Sequence, residues 1–161
     1  MINMKIYCTN GEHVELSYEN LINVSLDNLN LHRAELEGMD LSYSSFVNSN
    51  LRGAFLYKAN LKGCNFQGAN LITADFRETN LVQANLKGCL VNSALFEKAN
   101  MANANLENAY VNFANFQGAI LKGAIMKCID LENAILKNAI FDIKTIWPNN
   151  FDPYEKGAIM V

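Results

Sequence analysis

From Leu16 to Phe151 every fifth residue is Leu, Phe, Val, Met or Ile, without a slip. The stretch ANLKGCNFQGANLITADF, running from Ala59 to Phe76, shows the spacing in miniature through Leu61, Phe66, Leu71 and Phe76. An α-helix turns successive members of such a series by about 140° and scatters them around its surface. A strand sends alternate members to opposite faces. Only a backbone that itself repeats every five residues points all of them the same way, and that requirement rules out helical bundles and ordinary sheets.

The neighbouring positions describe this backbone. Two before the large residue the chain prefers something small, such as Ala54, Cys64, Ala74, Cys89, Ala104 or Ala119, so this site is crowded. One before it Asn or Asp is frequent, as at Asp40, Asn60, Asp75, Asn80, Asn100 and Asn115, where a short polar side chain can bond adjacent backbone. Two after it fall seven of the nine glycines, with Asn48, Asn103 and Asn108 in the same slot. Gly and Asn tolerate positive φ, so each unit is expected to hold one short extended piece and one corner. Cys128 breaks this pattern by standing in the corner slot, which would put Ile129 into the crowded inward site and bulge the unit locally.

Units such as AN-Leu61-KG, AN-Leu71-IT, AD-Phe76-RE and AN-Leu86-KG resemble the A(D/N)Lxx signature of pentapeptide repeat proteins over residues 16–146. The resemblance implies an all-β solenoid, a right-handed quadrilateral parallel β-helix of about six 20-residue coils. Leu61, Leu81 and Met101 would form one core column, and Phe76, Phe96 and Phe116 another, with Asn60, Asn80 and Asn100 as an outer ladder. A solenoid must also close its ends against stray pairing. Residues 1–15 read as an N-terminal cap, with MKIYCTNGEHVEL forming a hairpin around Asn10-Gly11. In the C-terminal cap, residues 147–161, two prolines stop the coiling while Trp147, Phe151 and Tyr154 lie over the last coil. The WPxxFDP tail resembles those of short cyanobacterial members of the family.

Charge and chemistry narrow the function classes. The chain carries a net charge of -3 over 161 residues, and residues 1–40 hold seven acids against two bases while the remainder is slightly basic and well mixed. A nucleic-acid groove is not expected from that distribution. No apolar run of about 18 residues is present, so no membrane span is expected. MINMKIYCTNGEHVEL lacks the pattern of a signal peptide, so a cytoplasmic location is expected. The four cysteines have neither zinc-site nor disulfide-framework spacing. His13 and His32 stand beside no recognisable nucleophile motif, Glu35 and Glu37 read as solvated carboxylates, and KGAN and QGAN lack the residues of a phosphate cradle. No catalytic residue, cofactor site or metal site is assigned, and an enzyme is not expected.

Binding surfaces remain. The outward slot turns apolar in the second half at Leu90, Leu95, Tyr110, Ile120, Ile125, Ile135 and Ile140, and Phe113 extends the run. Two readings stand: the tail folds back over Ile125 and Ile140, or these residues form a candidate interface for a second copy or another protein. The resemblance implies pairing through the C-terminal coils, since related proteins often dimerise there. It also implies an alternative function, DNA mimicry that occupies DNA gyrase, from which this chain departs in its low net charge and unbroken register. The leading expectation is a non-enzymatic interaction or scaffold module for an unidentified protein partner.

Overall fold

The structure is a computed structural model in which residues 4–161 are described, so residues 1–3 of the expected cap lie outside the described residues. Its backbone follows the five-residue code. From Asn23 to Gly123 every fifth residue adopts a left-handed conformation, with φ between 54° and 68°. The unit beginning at Leu61 shows the consequence. Cys64 N–H bonds back to Leu61 C=O at 3.1 Å and closes a turn, while Leu61 N–H and Gly63 N–H reach forward to Asn80 C=O and Val82 C=O at 2.8 and 2.9 Å. Each side therefore places a single residue in the ladder between turns, too few for a regular strand.

Bridges run in four parallel columns, each linking residues about twenty apart: Asp40, Asn60, Asn80, Asn100, Ile120 and Ile140 in one, and Ser25 to Ile146, Asn30 to Ile129 and Glu35 to Ile135 in the others. The large residues from Leu21 to Phe141 are buried inside this coil. Phe76, Phe96 and Phe116 stack with centroids 4.9 and 5.0 Å apart, nearly parallel. Leu61, Leu81 and Met101 are fully buried alongside. Outside, Asn80 Nδ2 donates to Asn60 Oδ1 at 3.0 Å, and Asn60 Nδ2 donates to Asp40 Oδ1 at 2.9 Å.

The ends differ from the body. Strands β1 (Met4–Tyr7) and β2 (His13–Leu16) form an antiparallel hairpin, and β1 continues onto the first coil through Glu35 N–H to Tyr7 C=O at 2.8 Å. At the other end β4 (Ile159–Met160) lies parallel to β3 (Ile140–Phe141). Phe141 meets Trp147 and Tyr154 edge-on at 5.5 and 5.4 Å, and Trp147 stacks on Phe151 at 5.5 Å.

One local expectation is corrected. Cys128, not Ile129, takes the crowded site: its Sγ faces Leu106 C=O at 3.5 Å, whereas Ile129 is 36% exposed and pairs with Tyr110. The unit has lost its corner at position 128, and the left-handed residue moves to Asp130, ahead of a 3-10 turn at Leu131–Asn133. The five-residue step also ceases to mark inward positions after Phe141. One extra residue enters there, so Ile146 pairs with Ile125 in the outward ladder and is 44% exposed, while Trp147 turns toward the core.

Candidate interaction surfaces

The small inward site selects residues whose polar atoms can be satisfied within the coil. Ser44 Oγ donates to Leu21 C=O at 2.6 Å and accepts from Val24 N–H at 3.0 Å. Ser49 bridges Leu26 and Leu29 in the same way. Val24 and Leu29 are bulkier than the usual Ala, and in both turns the direct bond is replaced by a hydroxyl from the next coil. Burial pushes the Cys64, Cys89 and Cys128 thiols up to about 12, which removes the thiolate that reactivity needs. Among the described residues no group of three or more His, Cys, Asp or Glu could hold a metal ion, and no helix is long and apolar enough to cross a membrane. His13 is exposed and lies within 3.3 Å of Glu15 and 3.4 Å of Lys5 on the hairpin. Neither Glu35 nor Glu37 is buried.

The apolar outward residues do not gather into one patch. Leu90 and Tyr110 share one column, Leu95 and Ile135 the next with Asn115 between them, Ile120 and Ile140 a third, and Ile125 the fourth. Phe113, 65% exposed, stands at the corner between Tyr110 and Asn115. The tail provides the following rung for two of them, with Ile146 on Ile125 and Ile159 on Ile140. Apolar exposure gathers instead at the C-terminal end of the coil. Ile143 is 83% exposed and Val161 63%, and Ile146, Tyr154, Ile159 and Met160 are exposed as well. The far edge of β4 pairs with no other strand among the described residues. Ile143, Ile159 and Met160 were not singled out from the sequence, because only the position of β4 on the last coil shows that they share one end.

A second feature lies near the opposite end. An open cleft of about 440 Å³ is lined by His32, Arg33, Arg52, Gly53, Phe55 and Thr73. Arg33, Gly53 and Thr73 occupy the same corner on three successive coils, and the missing side chain of Gly53 makes the hollow: a Cβ there would meet Arg33 Cγ at 3.5 Å and Thr73 Oγ1 at 3.8 Å. No motif links residues so far apart in sequence; only the twenty-residue offset brings them together.

A family model described as Pentapeptide repeats matches in 8 copies, over residues 20–56, 56–92 and 99–138. The chain belongs to the pentapeptide repeat family, and membership implies a right-handed quadrilateral β-helix. Among solved structures it is similar to alr5209, a pentapeptide repeat protein from Nostoc Pcc 7120, at 30% identity over 70% of this chain and 84% of that one, with a TM-score of 0.37. It is similar to Rfr23 from the cyanobacterium Cyanothece 51142 at 30% identity over 80% and 87%, with a TM-score of 0.34. A trypsin-treated form of QnrB1, described as a plasmid-mediated fluoroquinolone resistance protein, shares the fold at 13% identity over 86% and 90%, with a TM-score of 0.53. A comparison with curated proteins gave no match.

Proposed function

We propose that this protein is a non-enzymatic interaction module, a cytoplasmic rod of about six coils that engages protein through its C-terminal end rather than nucleic acid or membrane. The observation that carries this reading is the exposed apolar group Ile143, Ile146, Ile159, Met160 and Val161 beside the open edge of β4. A sheet edge with apolar side chains above it is a template for pairing with another chain. A second copy presents the same edge and the same side chains, so a twofold dimer is the simplest occupant, and the free faces remain for a further protein partner. Light scattering of the purified protein tests this. The expected mass is twice the 18.0 kDa of the chain, falling to a monomer in Ile159→Lys. A monomeric wild type at all concentrations overturns the dimer.

A second reading follows from the fold shared with QnrB1, that the rod binds DNA gyrase as a DNA mimic. Against it stand the net charge of -3 and the Asn-rich ladders, which are neutral where a mimic needs phosphate-like charge. A supercoiling titration separates the two: the interaction module is silent, and a mimic inhibits at stoichiometric protein.

A further inference from the structure

The cleft at the N-terminal end has the composition of an anion site. Two arginines from adjacent coils line it, Arg33 and Arg52, with His32 one coil before Arg52 at the equivalent position and Phe55 as an apolar wall. No carboxylate lines it, although the first forty residues carry seven acids. Arg33 is held in place by its Nε, which donates to Thr9 Oγ1 at 2.8 Å, and neither Arg33 nor Arg52 enters a salt bridge among the described residues. This is unlike Arg77, whose fork closes on Asp75 at 2.8 and 2.6 Å, or Lys87, which reaches Glu107 at 2.7 Å across one coil. Of the chain's three arginines Arg77 has a carboxylate partner, and the two at the cleft have none among the described residues.

The shape adds to the charge. Coils lie about 4.8 Å apart, so guanidiniums in neighbouring coils can approach different oxygens of one tetrahedral anion. Gly53 leaves the floor open between them, and its own N–H is already bonded to Ile72 C=O at 2.9 Å, so the floor stays in place when the cleft fills. Phe55 stands beside this point, half-buried, and offers an apolar surface to whatever carries the anion. Glu35 and Asp75 precede and follow Phe55 in its column but do not line the cleft, and Asp75 is neutralised by Arg77.

We propose that the cleft lined by Arg33, Arg52, Gly53 and Phe55 is a binding site for a phosphate monoester bearing a flat ring, with the phosphate between the two guanidiniums and the ring against Phe55. The probe is phenyl phosphate, titrated into isotopically labelled full-length protein while backbone amide shifts are followed, with inorganic phosphate as the second arm. The expected result is a saturable shift at the Gly53 and Thr73 amides at millimolar phenyl phosphate, with inorganic phosphate several-fold weaker. Arg52→Gln, an exposed position whose loss leaves the coil intact, weakens binding at least about tenfold, and Arg33→Gln does the same. Phe55→Ser brings phenyl phosphate down to the affinity of inorganic phosphate, which ties the ring to its wall. The proposal is overturned if the shifts do not saturate, if Arg52→Gln binds as wild type does, or if Lys98→Gln, at an exposed corner away from the cleft, weakens binding as much. These outcomes are independent of the C-terminal end, since Ile159→Lys leaves the cleft untouched.

Discussion

Phe96 lies between Phe76 and Phe116 with no room on either side, so Phe96→Ala opens a cavity inside a stack and is expected to destabilise the protein by about 3 to 5 kcal/mol. Lys98→Ala, two residues on at an exposed corner, is expected to change stability by less than about 0.5 kcal/mol. Urea midpoints compare the two directly, and equal shifts would contradict the inward register. The small site allows a finer test. Among the described residues Ser44 carries the only hydrogen bond given to Leu21 C=O and the only acceptor reached by Val24 N–H, so Ser44→Ala strands both groups. A loss of about 1 to 3 kcal/mol is expected. Cys64→Ala is expected to be nearly neutral, because Leu41 C=O keeps its bond from Ser44 N–H at 3.1 Å when the Cys64 thiol is removed. Gly63 is constrained from outside: a Cβ there would lie 2.6 Å from the Tyr43 ring, which fills the space above it from the preceding coil.

The repeating side was legible in the sequence because one code specifies each of its parts: a large residue in, a small one beside it, Asn or Asp on the ladder, and a corner tolerant of positive φ. The expected corner is present even where the residue is not suited to it, as at Thr73 with φ 56° and Phe113 with φ 57°. There the hydrogen bonds on either side impose the conformation. What could not be read was the slip of one residue near the end, since Ile146 is apolar whether it points in or out, and only Trp147 packing against Phe141 and Phe151 decides. The cleft was equally hidden, because Arg33, Arg52 and Thr73 belong to different coils. The slip has an electrostatic consequence. Gly123 N–H, which in a regular coil would meet a backbone carbonyl, instead donates to the Asp142 carboxylate at 2.9 Å. That bond, followed by those from Lys144 and Thr145, holds the Asp142 carboxyl below its ordinary value of 3.8. A depressed carboxylate stabilises the fold above the unfolded-state pKa and loses that contribution as pH falls through the folded value. Asp142→Asn is therefore expected to melt below wild type at pH 7, with the gap closing as pH drops below about 4. A gap that stays constant down to pH 2 would show that the charge is irrelevant.

For the molecule as a whole, the twenty-residue offset makes stability a property of neighbouring coils, and the ends behave as separate attachments to a uniform rod. The hairpin touches the body at Arg33 to Glu35, and the tail touches it between Glu132 and Phe141, so neither cap senses how many coils lie between. Removing residues 61–80 joins Asn60 to Leu81, which occupies the place that Leu61 held, and Ser45, Asn50, Phe55 and Asn60 find ladder partners in Asn85, Leu90, Leu95 and Asn100 while the later bridges are unchanged. Such a protein is expected to fold and unfold cooperatively, with a lower melting temperature because one coil of buried side chains is gone. Removing residues 61–78 instead joins Asn60 to Thr79, so the next large residue arrives two positions late and the hydrogen bonds of the corner no longer meet their carbonyls. That protein is expected to lose cooperative melting. Circular dichroism through a thermal ramp distinguishes them. If both deletions melted alike, the body would owe its stability to something other than coil-on-coil register; if only the shorter deletion failed, the five-residue code would be shown to set the structure along the whole rod.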